Sequence, residues 1–267
     1  MIAHAPYTDI AVSLADRVGT IEIRRPPNNY FDRALIAQLR EAFETFDRDE
    51  ECRALVLCAE GKNFCSGANF AADGRAQEGA AVIRQQQAGS TNLYKEAVRL
   101  FRISKPVVAA IQGAAVGGGL GLAMVADFRV TCLEGRFCAN FTRLGTHPGF
   151  GLTVTLPRLI GTQATEMMFY TGDRIPGDKA VEMGLADLLV PLAEVRSAAV
   201  ALATKIAQSA PLAVRSTRAT MRRGLADAVE AATDHEFVEQ DWLFRTADFR
   251  EGVRAMAART LPDFKGN

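Results

Sequence analysis

Hydrophobic positions change period in a regular order along the chain. Thr20-Ile21-Glu22-Ile23-Arg24 alternates apolar and polar residues, which predicts a strand with one buried face. Leu35, Ile36, Leu39, Ala42, Phe43 and Phe46 then recur at helical spacing. Ala54-Leu55-Val56-Leu57-Cys58-Ala59 is continuously apolar, as expected of a strand covered on both faces. The alternation of strand and helix continues through residues 107–112, the segment after Gly117 and residues 128–132, predicting an α/β domain with a mainly parallel sheet. After about Gly161 the pattern turns helical with little strand character, over residues 164–170, 177–183, 192–209, 212–222 and 226–244. A C-terminal helical layer is expected. Residues 71–91, rich in Ala, Gly and Gln, form the segment expected to be most flexible.

Residues 107–126 carry no charge and are long enough to span a bilayer as one helix. Their β-type start and their glycines (113, 117, 118, 119 and 121) favour instead a strand, a glycine turn and a buried helix. The first residues lack the basic and apolar regions of a targeting signal, and a cytoplasmic location is expected. With 48% hydrophobic and 23% charged residues in 267, the chain has enough apolar side chains for a well-filled core. Its 31 basic and 31 acidic residues cancel, so no overall field would attract nucleic acid or an anionic membrane, and neither is expected as a partner. The five cysteines lack C-x-x-C spacing and nearby histidines, so they read as reduced core thiols rather than metal ligands.

The run from Ile111 to Met124 places a glycine cluster where a strand gives way to a helix. The register of a dinucleotide fingerprint fails there, and a P-loop would need a Lys and a Ser or Thr that are missing. What stays open is tight helix packing, or close approach of a ligand to free amides at a helix start. A second small-residue turn, Gly61-Lys62-Asn63-Phe64-Cys65-Ser66-Gly67-Ala68, follows the strand that ends near Ala59.

Together these stretches resemble the crotonase superfamily, also called the enoyl-CoA hydratase/isomerase family. The resemblance rests on Arg25-Pro26-Pro27-Asn28-Asn29, on Phe64-Cys65-Ser66-Gly67-Ala68, on residues 105–127 and on residues 136–151. Leu156-Pro157-Arg158-Leu159-Ile160-Gly161 and the tail from Glu251 to Gly266 extend it over nearly the whole chain. The fold implied is a crotonase-like ββα-superhelix spiral core over residues 1–200, followed by a C-terminal helical trimerisation region over residues 201–267. The function implied is that of an acyl-CoA-processing lyase or isomerase, a homotrimer or homohexamer, with coenzyme A as part of the substrate and no separate cofactor or metal. A non-catalytic acyl-CoA-binding protein that keeps the pocket is the alternative.

By the same resemblance, the backbone amides of Ala68 and Gly118 form an oxyanion hole, Cys65 and Ser66 contact CoA, and Arg25 and Arg259 lie where CoA is approached. The family pattern breaks at the two positions where its hydratases carry glutamates, here Gly121 and Phe141. Neither can transfer a proton, so a two-glutamate hydration is disfavoured. Phe141 then becomes an apolar wall for the acyl group. His147, in a Gly- and Pro-rich turn, is the candidate substitute for acid/base work, since its ordinary pKa suits that role. Asp73 and Glu78 are carboxylates that could also reach the site. Tyr30 and Phe31 are candidates to pack against the ligand.

Overall fold

The computed structural model describes residues 7–69 and 93–267. Asp73, Glu78 and the expected flexible segment 71–91 lie outside the described residues. Strands β1 (Ile10–Ala15) and β2 (Val18–Ile23) form a hairpin paired from Ile10↔Ile23 to Ala15↔Val18. Asp16 and Arg17 both take positive φ at its tip, the geometry whose twist matches paired strands. Helix α1 (Arg33–Arg48) follows, its first turn capped by the Asp32 carboxylate accepting from Leu35 N. All six of its predicted apolar positions, Leu35 to Phe46, are buried.

Next come β3 (Ala54–Ala59), α2 (Leu93–Leu100), β4 (Val107–Ile111), β5 (Ala114–Val116), α3 (Gly118–Ala123), β6 (Phe128–Thr131) and β7 (Arg136–Cys138). The C-terminal part adds α4 (Leu152–Ile160), α5 (Thr162–Thr171), β8 (Arg174–Pro176), α6 (Gly177–Glu182), β9 (Leu188–Leu189), α7 (Val195–Ala207), α8 (Pro211–Met221), α9 (Leu225–Leu243) and α10 (Ala247–Ala258). One sheet runs β1-β2-β3-β4-β6-β9, parallel after the opening hairpin; the other is β5-β7-β8. Every residue of β3 and of β4 is buried, which accounts for their unbroken apolar sequence. The uncharged run 107–126 is not the single strand, turn and helix expected: it holds two strands, β4 and β5, before a short buried helix. Among the described residues no single helix is long and apolar enough to cross a membrane.

Two apolar layers cover the main sheet. On one, Val56, Val108 and Val130 pack with Ala199 and Ala203 of α7; on the other, Ile21, Leu55 and Leu57 join the α1 face. Leu225 and Val229 of α9 belong to this second core, so the late helices share it with the sheet. Helix α8 is tied to the start of β4 and β6 by Asp127. Its carboxylate accepts from Val107 N at 2.8 Å, Arg218 Nε at 2.8 Å and an Arg222 guanidinium nitrogen at 2.9 Å.

Candidate active site

Two chain crossings meet directly. Cys65, just after β3, donates its N–H to Ala114 O at 2.9 Å and accepts from Val116 N at 3.0 Å, beside β5. This bridge brings Gly67 and Ala68 to the first turn of α3, and all of Gly67, Ala68, Gly117 and Gly118 line one cavity of about 1140 Å³. No backbone hydrogen bond among the described residues engages the N–H of Ala68 or of Gly118. Gly118 owes this to its place in the first helical turn, where amides have no intrahelical acceptor. Both residues thus bring amides without a described backbone acceptor to a common space, and donors fixed in this way can stabilise charge developing on a carbonyl oxygen.

Aromatic rings close in on these amides. A Cβ on Gly118 would stand 2.3 Å from Phe31 Cζ, and one on Gly121 would stand 2.5 Å from Phe150 Cβ. Glycine at both positions thus makes room for rings rather than for backbone freedom. Phe31 and Phe150 meet edge to face at 5.7 Å, and Phe141 completes the wall. Phe150 itself holds φ at +64° between Gly149 and Gly151.

The predicted site residues separate into two groups. Ala68, Gly118, Ser66 and Phe141 all line the cavity. Arg25, Cys65, His147 and Arg259 do not. Arg25 is turned away because its guanidinium is held by Asp9 at 2.7 Å and Asp32 at 2.9 Å, with Tyr30 O accepting at 3.4 Å. Cys65 is fully buried with both backbone polar groups engaged in the crossing, and burial pushes its thiol up to about 12. The His147 ring packs on His235, centroids 6.0 Å apart, with Nδ1 2.8 Å from Pro148 O; its neighbours Thr146 and Gly149 reach the cavity instead. Arg259 ends α10 in a left-handed conformation, exposed on a single chain.

Residues that the sequence did not single out also line the cavity. Phe150, Thr146, Gln240, Leu144 and Phe244 are among them, and so are exposed Lys62 and half-exposed Arg196. Thr146 is buried, with its hydroxyl unpaired among the described residues. The one signal for Phe150 was its position between two glycines. Of the acidic residues on the cavity, Glu22 is paired with Arg24 and Arg196, and Glu60 and Glu134 are exposed. Burial works to raise the Glu22 carboxyl, but the hydrogen bonds from those arginines hold it below the usual range. Among the described residues, no cluster of His, Cys, Asp and Glu could hold a metal ion.

A mainly parallel sheet, a second small sheet and two amide-bearing crossings converging on one cavity define a crotonase-type fold. The chain matches the enoyl-CoA hydratase/isomerase family model over residues 14–267 and belongs to that family. It is 29% identical over 261 residues to the crotonyl-CoA hydratase of Syntrophomonas wolfei, covering 97% of this chain and 98% of that one. It is equally similar, 29% over 252 residues, to the short-chain-enoyl-CoA hydratase of Clostridium acetobutylicum, with 93% and 95% covered. In fold it superposes on the enoyl-CoA hydratase/isomerase of Pseudoalteromonas atlantica with a TM-score of 0.85 at 24% identity, over 97% of this chain and all of that one. The enoyl-CoA hydratase of Mycobacterium avium subsp. paratuberculosis gives 0.83, also at 24% and with 97% and 100% covered.

Proposed function

We propose that this protein is an acyl-CoA-processing enzyme that grips the thioester carbonyl between the N–H groups of Ala68 and Gly118. It then moves protons without the paired glutamates of its relatives. The observation that carries this reading is that Ala68 and Gly118, from two crossings, line one cavity with no backbone hydrogen bond to either N–H among the described residues. Fixed donors aimed at a developing oxyanion are worth about 10²–10³ in rate each. At about 1140 Å³ the cavity exceeds the range usual for small ligands, roughly 300–1,000 Å³, so a pantetheine arm and an acyl group fit together. Lys62 and Arg196, exposed residues of its lining, suit the phosphates of CoA, and Ser66 the arm.

The curated relatives' names point to enoyl-CoA hydration, but the proton path here must differ. Gly121 and Phe141 carry no acid, and Phe150 fills the space a side chain at position 121 would enter. His147 is set apart from the cavity, so its removal should leave turnover intact. Assembly as a homotrimer or homohexamer belongs to the same proposal; the exposed Arg259 would then meet a neighbour's CoA. The aromatic filling around the amides supports one second reading, an acyl-CoA-binding protein without turnover.

The deciding experiment is a turnover screen with enoyl-CoA and 3-hydroxyacyl-CoA esters on wild type and His147→Ala. Turnover by both proteins is expected. Tight binding without turnover across the panel would favour the second reading, and a complete loss in His147→Ala would overturn the account of the proton path.

A further inference from the structure

The wall beside the amides is held from behind by one helix. Glu236 and Gln240 stand one turn apart on α9, and both are buried, at 0% and 3% exposure. The Glu236 carboxylate accepts from Gly151 N at 2.8 Å, from Thr153 N at 3.2 Å and from the Thr153 hydroxyl at 2.6 Å. Gln240 donates its Nε2–H to His147 O at 2.8 Å. These bonds fix both ends of the turn that carries Phe150. That turn runs through two successive positive-φ residues, Phe150 at +64° and Gly151 at +71°. A non-glycine residue in this region is held there only when its surroundings determine it. A carboxylate with no exposure, used up on three donors of one short segment, is such a determinant.

The position of Phe150 says what the clamp does. Its Cβ, Cγ and Cδ1 stand 2.5–2.7 Å from where a Cβ on Gly121 would be, and its Cδ2 is 3.6 Å from the corresponding point on Gly118. Phe31 comes closer still to that point on Gly118, its Cζ at 2.3 Å. Both rings therefore crowd the first turn of α3, beside which the thioester carbon and the carbon next to it would lie if Gly118 N binds the carbonyl. Bulk at that adjacent carbon would strike Phe150.

We infer that Glu236 and Gln240 are positioning residues that lock Phe150 against the oxyanion crossing, and that the locked ring selects acyl-CoA esters unbranched at the carbon next to the thioester. The inference rests on the acyl-CoA reading of the site and names the substrate class that reading leaves open. Glu236 touches no substrate; it acts through Phe150.

The test uses binding, so it does not depend on which reaction is catalysed. Straight-chain and α-branched 2-oxoalkyl-CoA thioethers keep the carbonyl and resist hydrolysis, and titration calorimetry gives the ratio of their dissociation constants. Wild type should prefer the straight chain by about tenfold or more, the scale of one misplaced methyl group in an apolar pocket. Phe150→Ala and Glu236→Ala should each bring that ratio close to one. Glu236→Gln, which keeps an acceptor for Gly151 N, should restore most of it. In the Phe150→Ala background, Glu236→Ala should add nothing to the ratio. If both thioethers bind wild type equally, or if the two alanine effects on the ratio are independent, the inference is overturned. If neither thioether binds wild type, the acyl-CoA reading falls with it. Should Glu236→Ala not fold, the Glu236→Gln and Phe150→Ala ratios alone decide: a ratio unchanged in Phe150→Ala overturns the inference.

Discussion

At the scale of single residues, the site is shaped by what glycine leaves room for. Placing a glutamate at position 121 should not create a working acid, because its Cβ would collide with Phe150. Gly121→Glu is expected to lose about 1–3 kcal/mol of stability through overpacking. Gly121→Glu with Phe150→Gly should recover most of that loss, and urea unfolding of the two variants checks both values. The cysteines make a second point at this scale. All five are buried, and burial lifts the thiols of Cys52, Cys58 and Cys138 to about 11 and that of Cys65 to about 12. Since the thiolate is the reactive form, iodoacetamide at pH 8 should label none of these four in the folded protein within minutes. All five should react in denaturant, as mass spectrometry would show.

Elements were legible where their burial was uniform. β3 and α1 could be read directly, because one is apolar throughout and the other presents a single apolar face. β1 was missed since only Ile10 of its residues is buried, leaving no alternation to see. α4 was missed because its buried residues are few and a proline lies within it, and α10 because glycine and charge break its stripe. In the site, the glycine cluster and the small-residue turn left packing and ligand approach both open, and the resemblance to the family is what singled out Ala68 and Gly118. The direction of the His147 ring and the role of Phe150 depend on α9, which is distant in sequence and contributes through hydrogen bonds that no local pattern encodes.

The attachment of α8 belongs to this scale too. Asp127 binds two guanidiniums that are themselves largely buried, with side-chain exposures of 8% for Arg218 and 14% for Arg222. Asp127→Ala would leave both with backbone carbonyls but no carboxylate partner, and breaking a buried ion pair in this way costs about 3–5 kcal/mol. A loss of that size in urea unfolding is the expected outcome; a loss below 1 kcal/mol would mean that the Asp127 ion pairs do not hold α8 in place.

For the molecule as a whole, the early loop ties the start of β1 to the start of α1. Arg25 lies between Asp9 and Asp32, and its hydrogen bond to Asp9 holds that carboxyl below its usual value of 3.8. A carboxyl depressed in the folded state adds stability above its unfolded pKa and loses that contribution as pH falls through the folded value. Thermal stability should therefore decline on acidification below about pH 4, and part of that decline should vanish in Asp9→Asn. An equal acid sensitivity in the variant would show that the Arg25 cluster does not contribute.

The central claim concerns a carbonyl oxygen between two main-chain N–H groups, and infrared spectroscopy reads that oxygen directly. With a saturated acyl-CoA carrying ¹³C at the thioester carbon, the isotope-edited difference spectrum isolates one stretching band in the complex. Polarisation by the amides of Ala68 and Gly118 should move the band to lower frequency than in water. A ligand that saturates the protein while its band stays at the solution frequency would contradict the account.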